Sequence, residues 1–141
     1  MTVEAVRQGN KERKKDLPAV LFSGTFESRS DDSIQDHNGL IVLDFDHVDV
    51  EATKSALAMD EHIQACWISP SGDGIKALTK ITNPERHRDH FRALVRYFDE
   101  RYGLALDESG KNESRACWES YDPDIIIKGK CAPFGKFVSE E

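Results

Sequence analysis

The chain is poor in cysteine, proline and glycine, and no long apolar run occurs anywhere in it. Its three cysteines, Cys66, Cys117 and Cys131, are odd in number and show neither CxxC spacing nor paired histidines, which excludes a complete disulfide framework and a structural zinc site. They read as reduced thiols. Five prolines and nine glycines in 141 residues, without any repeat, exclude a collagen-like or low-complexity chain. No stretch approaches the roughly 18 apolar residues of a membrane span, and the polar opening from Met1 to Gln8 lacks the apolar segment of a secretory signal. The expectation is a cytoplasmic protein with no membrane partner. Basic side chains are in deficit, 19 against 26 acidic for a net charge of -7, so the surface as a whole does not suit a nucleic-acid backbone. A local patch is still open: five basic residues fall between Arg7 and Lys15, and Arg88, Arg92 and Arg96 cluster further on. Solvated helix faces are the simpler reading of both.

What is present suffices for one folded domain over residues 1–141, with a core from about 17 to 128. Seven Phe, three Tyr, two Trp and the apolar block from Gly39 to Phe45 supply the burial. Residues 3–15 predict a polar helix stopped before Pro18, and Ala19 to Phe22 a short strand. Ser28 to Ser33 reads as a surface loop. Gly39 to Phe45 is the clearest strand, followed by a helix that Asp49 caps. Strands are expected at Ala65 to Ile68 and Ile75 to Ile81, with a turn from Pro70 to Gly74 between them. Asn83-Pro84 opens a long helix ending at Gly103, in which Phe91, Leu94, Val95, Phe98 and Tyr102 form one apolar stripe at steps of 3, 1, 3 and 4. His87 and His90 on this helix are a conceivable metal pair, but an exposed face is the favoured reading. Arg115 to Tyr121 and Asp124 to Lys128 predict a final strand pair, split by Asp122-Pro123. The order β-α-β-β-α-β, after an N-terminal helix-strand extension, is that of an α+β, ferredoxin/RRM-like split βαβ core.

Three features bear on chemistry. Asp44 and Asp46 lie two apart at the end of the apolar strand, so both carboxylates point to one face, and a divalent cation relieves their repulsion. An exposed strand end is the competing reading. The segment Ser69-Pro-Ser-Gly-Asp-Gly-Ile-Lys76 places Ser71, Gly72 and Gly74 in a tight turn whose amides suit an anion, with Lys76 on the strand that follows. An ordinary hairpin is equally compatible with it. Asp107 ends a short apolar stretch as a third carboxylate or as a simple turn residue, and Arg115 is a phosphate clamp or a surface ion-pair partner.

As an ordered set, Leu43-Asp-Phe-Asp46, the Ser69 to Lys76 turn, Asp107 and Ser114-Arg-Ala-Cys-Trp-Glu-Ser-Tyr-Asp-Pro123, with Leu17 to Phe26 upstream, resemble the primase-polymerase-like N-terminal domain of virulence-associated protein E relatives. That domain is similar to the archaeo-eukaryotic primase superfamily. The resemblance implies Mg²⁺ or Mn²⁺ held by Asp44, Asp46 and Asp107, and triphosphate contacts from Ser71, Gly72, Gly74, Lys76 and Arg115. It further implies nucleoside triphosphates, a single-stranded or primed DNA template and a separate replicative helicase as partners, with nucleotidyl transfer in phage or mobile-element replication as the activity. Lys76 stands where the superfamily carries histidine, which favours nucleotide binding over turnover. A catalytically inactive binding module and a metal-dependent nuclease are the alternatives.

Overall fold

The structure is a computed structural model that describes residues 2–9 and 17–139. It is a mixed α+β arrangement of antiparallel sheets with two principal helices. Among the described residues three helices, α1 (Thr2–Arg7), α2 (Val50–Ala58) and α3 (His87–Tyr102), accompany eight strands: β1 (Ala19–Leu21), β2 (Gly24–Phe26), β3 (Ile34–His37), β4 (Leu40–Phe45), β5 (Ile63–Ile68), β6 (Ile75–Lys80), β7 (Ala116–Trp118) and β8 (Ile126–Ile127). Residues 10–16, half of the expected first helix, lie outside the described residues. Among the described residues no helix is long and apolar enough to cross a membrane.

The main sheet has the strand order β4-β6-β5-β8, antiparallel throughout. β6 lies between β4 and β5, and Ile75 to Thr79 are all buried, with Lys76 the one charged residue among them. Alternation along β4 sorts its residues. Ile41, Leu43 and Phe45 face α3 and the main core with Phe91, Leu94 and Phe98, whereas Val42 joins Ala65, Leu78 and Cys117 in a second cluster on the opposite face. That second face is covered by β7, which pairs with β1 in a two-stranded sheet. A further hairpin, β2 with β3, encloses the Ser28–Ser33 loop, and neither of its strands was expected from the sequence.

Three expectations are corrected. β7 and β8 do not pair with each other: Asp122 accepts hydrogen bonds from the Ile68 N–H and the Lys54 ammonium, which draws the chain across the end of β5 and pairs β8 with β5. α3 begins at His87, after a single 3-10 turn over Pro84–Arg86, and the Asn83 side chain makes no cap bond. Instead the Asn83 N–H donates to His90 Nε2. His87 and His90 are not exposed but 2% and 0% accessible, because backbone groups from distant segments satisfy their rings. The Asp49 cap forms as expected, accepting from the Ala52 N–H.

The outer edge of β4 is covered by the loop after α3, where the Asp107 N–H donates to the Asp44 carbonyl at 2.9 Å. Gly110 in this loop has no room for a side chain: a Cβ there would lie 2.6 Å from Phe91 and 2.9 Å from the Val42 carbonyl oxygen. Gly110→Ala therefore lowers stability by about 1–3 kcal/mol in urea unfolding. A variant as stable as the parent would mean that the loop does not rest on β4.

Candidate functional site

The face of the main sheet opposite α3 carries the predicted residues. Register sets Asp44 directly across from Lys76, and Lys76 directly across from Trp67, so the three lie in one row over β4, β6 and β5. Asp44 is 4% accessible and accepts from Lys76 Nζ at 2.6 Å through one oxygen and from Arg115 Nη2 at 2.9 Å through the other. Lys76 is equally buried. Both oxygens of the buried Asp44 carboxylate are thus met by cations, Lys76 buried beside it and Arg115 partly exposed, which is what makes its burial tolerable. Arg115 is steadied by its neighbour: the N–H and hydroxyl of Ser114 both donate to Asp31, which also holds Arg88 at 2.8 Å.

Asp46 and Asp107 meet beyond the strand end, where their carboxyls share a hydrogen bond. Partial burial, the negative charge of Asp44 and the proximity of Asp107 hold Asp46 above the usual carboxylate range. Burial pushes Asp107 upward too, but the hydroxyl and N–H of Ser109, the Arg115 charge and the bond from Asp46 outweigh it, and Asp107 stays below the usual range. Asp107 is thus the turn residue of one sequence reading, opening a turn through Ser109, and its carboxylate lies beside Asp46.

The glycine turn abuts this cluster. Gly74 packs on the β4 terminus so closely that a Cβ would come within 2.7 Å of the Phe45 carbonyl oxygen and 3.4 Å of the Asp46 Cα. His47 takes a left-handed backbone with φ of 53°, which aims the Val48 N–H at the Asp73 carbonyl, and the His47 ring bonds the Asp73 carboxylate at 2.8 Å. Asp73 is thereby turned toward His47. Ser71 and Gly72 form the outer corner of the turn, beneath the side chain of Arg7.

Two contributions were not foreseen. Arg7 reaches the turn from α1, and no local pattern announces contacts at a separation of 62 to 114 residues. A histidine relay supports the Asp107 loop: the Gly39 N–H donates to His37 Nδ1, which leaves His37 Nε2–H to donate to His87 Nδ1, and His87 Nε2–H to donate to the Gly110 carbonyl. The one usable signal was the placement of His87 and His90 beside the apolar stripe of α3.

A divalent ion fits part of this set. Asp46 and Asp107 form a close acidic pair whose mutual repulsion a cation would relieve, and their oxygens are hard ligands. Asp44 is already engaged on both oxygens by Lys76 and Arg115. Among the described residues no group of three or more His, Cys, Asp or Glu side chains is disposed to hold a metal by itself. Mg²⁺ commonly binds through one or two carboxylates completed by water and substrate phosphate, and Asp46 with Asp107 meets that requirement.

The architecture and this cluster define an α+β domain with an acidic, cation-flanked site on one sheet face. Residues 12–126 match the model of the BT4734-like N-terminal domain family, and the chain belongs to that family. No curated protein and no solved structure matches it.

The two DxD carboxylates have opposite effects on folding. Asp44→Ala strands Lys76 and Arg115 and costs about 3–5 kcal/mol in denaturant unfolding. Asp46 carries a raised folded pKa, so its charge opposes folding at neutral pH and the opposition fades as pH falls through that pKa. Asp46→Asn is accordingly more stable than the parent at pH 7, with the gap closing under acid; a destabilised Asp46→Asn would refute the crowding of these carboxylates. Burial, together with repulsion from His87, lowers His37 from 6.5 to about 4, and burial lowers His87 and His90 as well. The unfolded chain takes up protons near pH 6.5 that the fold refuses. Their contribution is complete above 6.5 and is lost as pH falls toward 4. The urea midpoint should drop between pH 7.5 and pH 5, and His87→Gln should flatten that dependence.

Proposed function

We propose that the chain is a primase-polymerase-like domain that binds a nucleoside triphosphate with Mg²⁺ or Mn²⁺ and transfers nucleotidyl groups to a primer or first nucleotide during replication of phage or mobile-element DNA. The observation that carries this reading is the meeting of Asp107 with the distant Asp44–Asp46 pair, beside two cations and a glycine turn. The β4-α2-β5-β6 unit, with β6 between β4 and β5, supports the RRM-like core of the archaeo-eukaryotic primases as the finer description.

In this reading Asp46 and Asp107 hold the ion, and Asp44 keeps Lys76 and Arg115 side by side. When bound, the ion supplies positive charge for the phosphates and lowers the pKa of an attacking hydroxyl. Lys76 and Arg115 add fixed charge on the sheet face. The Gly72 N–H closes the turn onto the Ser69 carbonyl, so a phosphate here would meet the remaining amides of the Ser71–Gly74 corner. The template is a single-stranded or primed DNA, and a separate helicase supplies it.

A primed template, labelled nucleotide and Mn²⁺ test this directly. Lengthened strands are expected, and Asp46→Asn and Asp107→Asn should each weaken Mn²⁺-dependent nucleotide binding at least roughly 10-fold. The full engagement of Asp44 by Lys76 and Arg115 favours an inactive binding module as the second reading. That module would bind single-stranded DNA equally well with either substitution and yield no product. Shortened strands would instead identify a nuclease.

A further inference from the structure

Three cations stand about the glycine turn and the acidic cluster, and two of them, Lys76 and Arg115, are paired with Asp44. The third is Arg7, which pairs with no carboxylate among the described residues. Its Nη2 donates to the Ser69 carbonyl at 3.1 Å, the Ser120 hydroxyl at 3.3 Å and the Tyr121 carbonyl at 2.7 Å, all uncharged acceptors. Its Nε is buried without any acceptor, as is the hydroxyl of Ser69 on the same turn. Its stem lies over Gly72, where a Cβ would be 3.3 Å from Arg7 Cγ and 3.5 Å from Cδ. The placement follows from α1, whose Val3 and Val6 cluster with Leu17 against Trp118.

Neutral oxygens orient a guanidinium but leave its charge uncompensated, and a partly buried uncompensated cation attracts an anion more strongly than an exposed one. A planar fork whose Nη1 is neither buried nor bonded among the described residues suits phosphate in particular. We propose that Arg7 is a phosphate ligand of this domain and that the corner from Ser71 to Gly74 is the floor of its site. This deepens the reading of the turn as a phosphate cradle and rests on it. Arg7, rather than the Asp44-paired Lys76, then supplies the free positive charge at the corner. The phosphate belongs to a nucleotide or to a strand backbone, and the test separates the two.

Binding of inorganic tripolyphosphate, of a nucleoside triphosphate with Mn²⁺ and of a single-stranded oligonucleotide is measured by calorimetry for the full chain, Arg7→Gln and Arg7→Lys, alongside thermal unfolding. Arg7→Gln should weaken phosphate binding about 10-fold. Arg7→Lys should retain most of the affinity, since the charge survives the loss of the fork. Loss confined to the triphosphates assigns the nucleotide; loss confined to the oligonucleotide assigns the backbone. If both variants bind equally poorly and melt equally early, Arg7 is a packing residue and the inference is wrong. It is wrong also if Arg7→Gln binds every probe like the parent, and when Asp46→Asn still abolishes metal-dependent binding the wider reading outlives it. A parent chain that binds none of the three probes defeats both.

Discussion

The buried charge group formed by Asp44, Lys76 and Arg115 is the constraint from which the rest of the site follows. A carboxylate 4% accessible near the end of β4 is tolerable only with its counter-charges in contact, and the antiparallel register of β4 and β6 delivers Lys76 directly opposite it. Arg115 arrives from the other side through the strand pairing of β1 with β7 and the Ser114–Asp31–Arg88 bonds. A one-residue slip of β4 would turn Asp44 into the apolar core against Phe91 and Phe98. Register, burial and charge are therefore one specification.

Around that group the molecule divides labour between its two sheet faces. The α3 face is a conventional apolar core in which Phe45 and Phe98 pack edge to face with ring centroids 5.3 Å apart. At one end of that core Asp60, buried with both the Tyr97 and Tyr102 hydroxyls on it, ties the end of α2 to α3. The opposite face is where charge collects, and there the local chemistry is poor for stability: Asp46 is held above its ordinary range, and His47 takes an unfavourable backbone region. Such concentrations of strain and crowded charge are characteristic of sites that await a ligand.

Much of this was legible in the sequence because the signals were local. β4 and β6 announced themselves by composition, α2 by its Asp49 cap, α3 by its apolar stripe and by Gly103, and the DxD pair by its spacing. What escaped reading was long-range. β2 and β3 are short and separated by a polar loop, so their pairing leaves no periodic trace. The destinations of β7 and β8 depend on Asp122 bonding Ile68 and Lys54, contacts that span more than fifty residues. His87 and His90 looked solvent-facing because histidine counts as polar in a helix pattern; their burial depends on carbonyls of Gly110 and Lys136 that no window of α3 contains. Arg7 is invisible for the same reason.

The loop that presents Asp107 also closes the open side of β4, with the Asp107 amide bonded to the Asp44 carbonyl. Bare outer strands invite pairing with a neighbouring molecule. The same few residues thus hold the acidic cluster and cover the edge, and damage to the His37–His87–Gly110 support would uncover a sticky border as it disordered that cluster. Selection on either property would preserve the other, so loss of chemistry in a relative need not erase the loop.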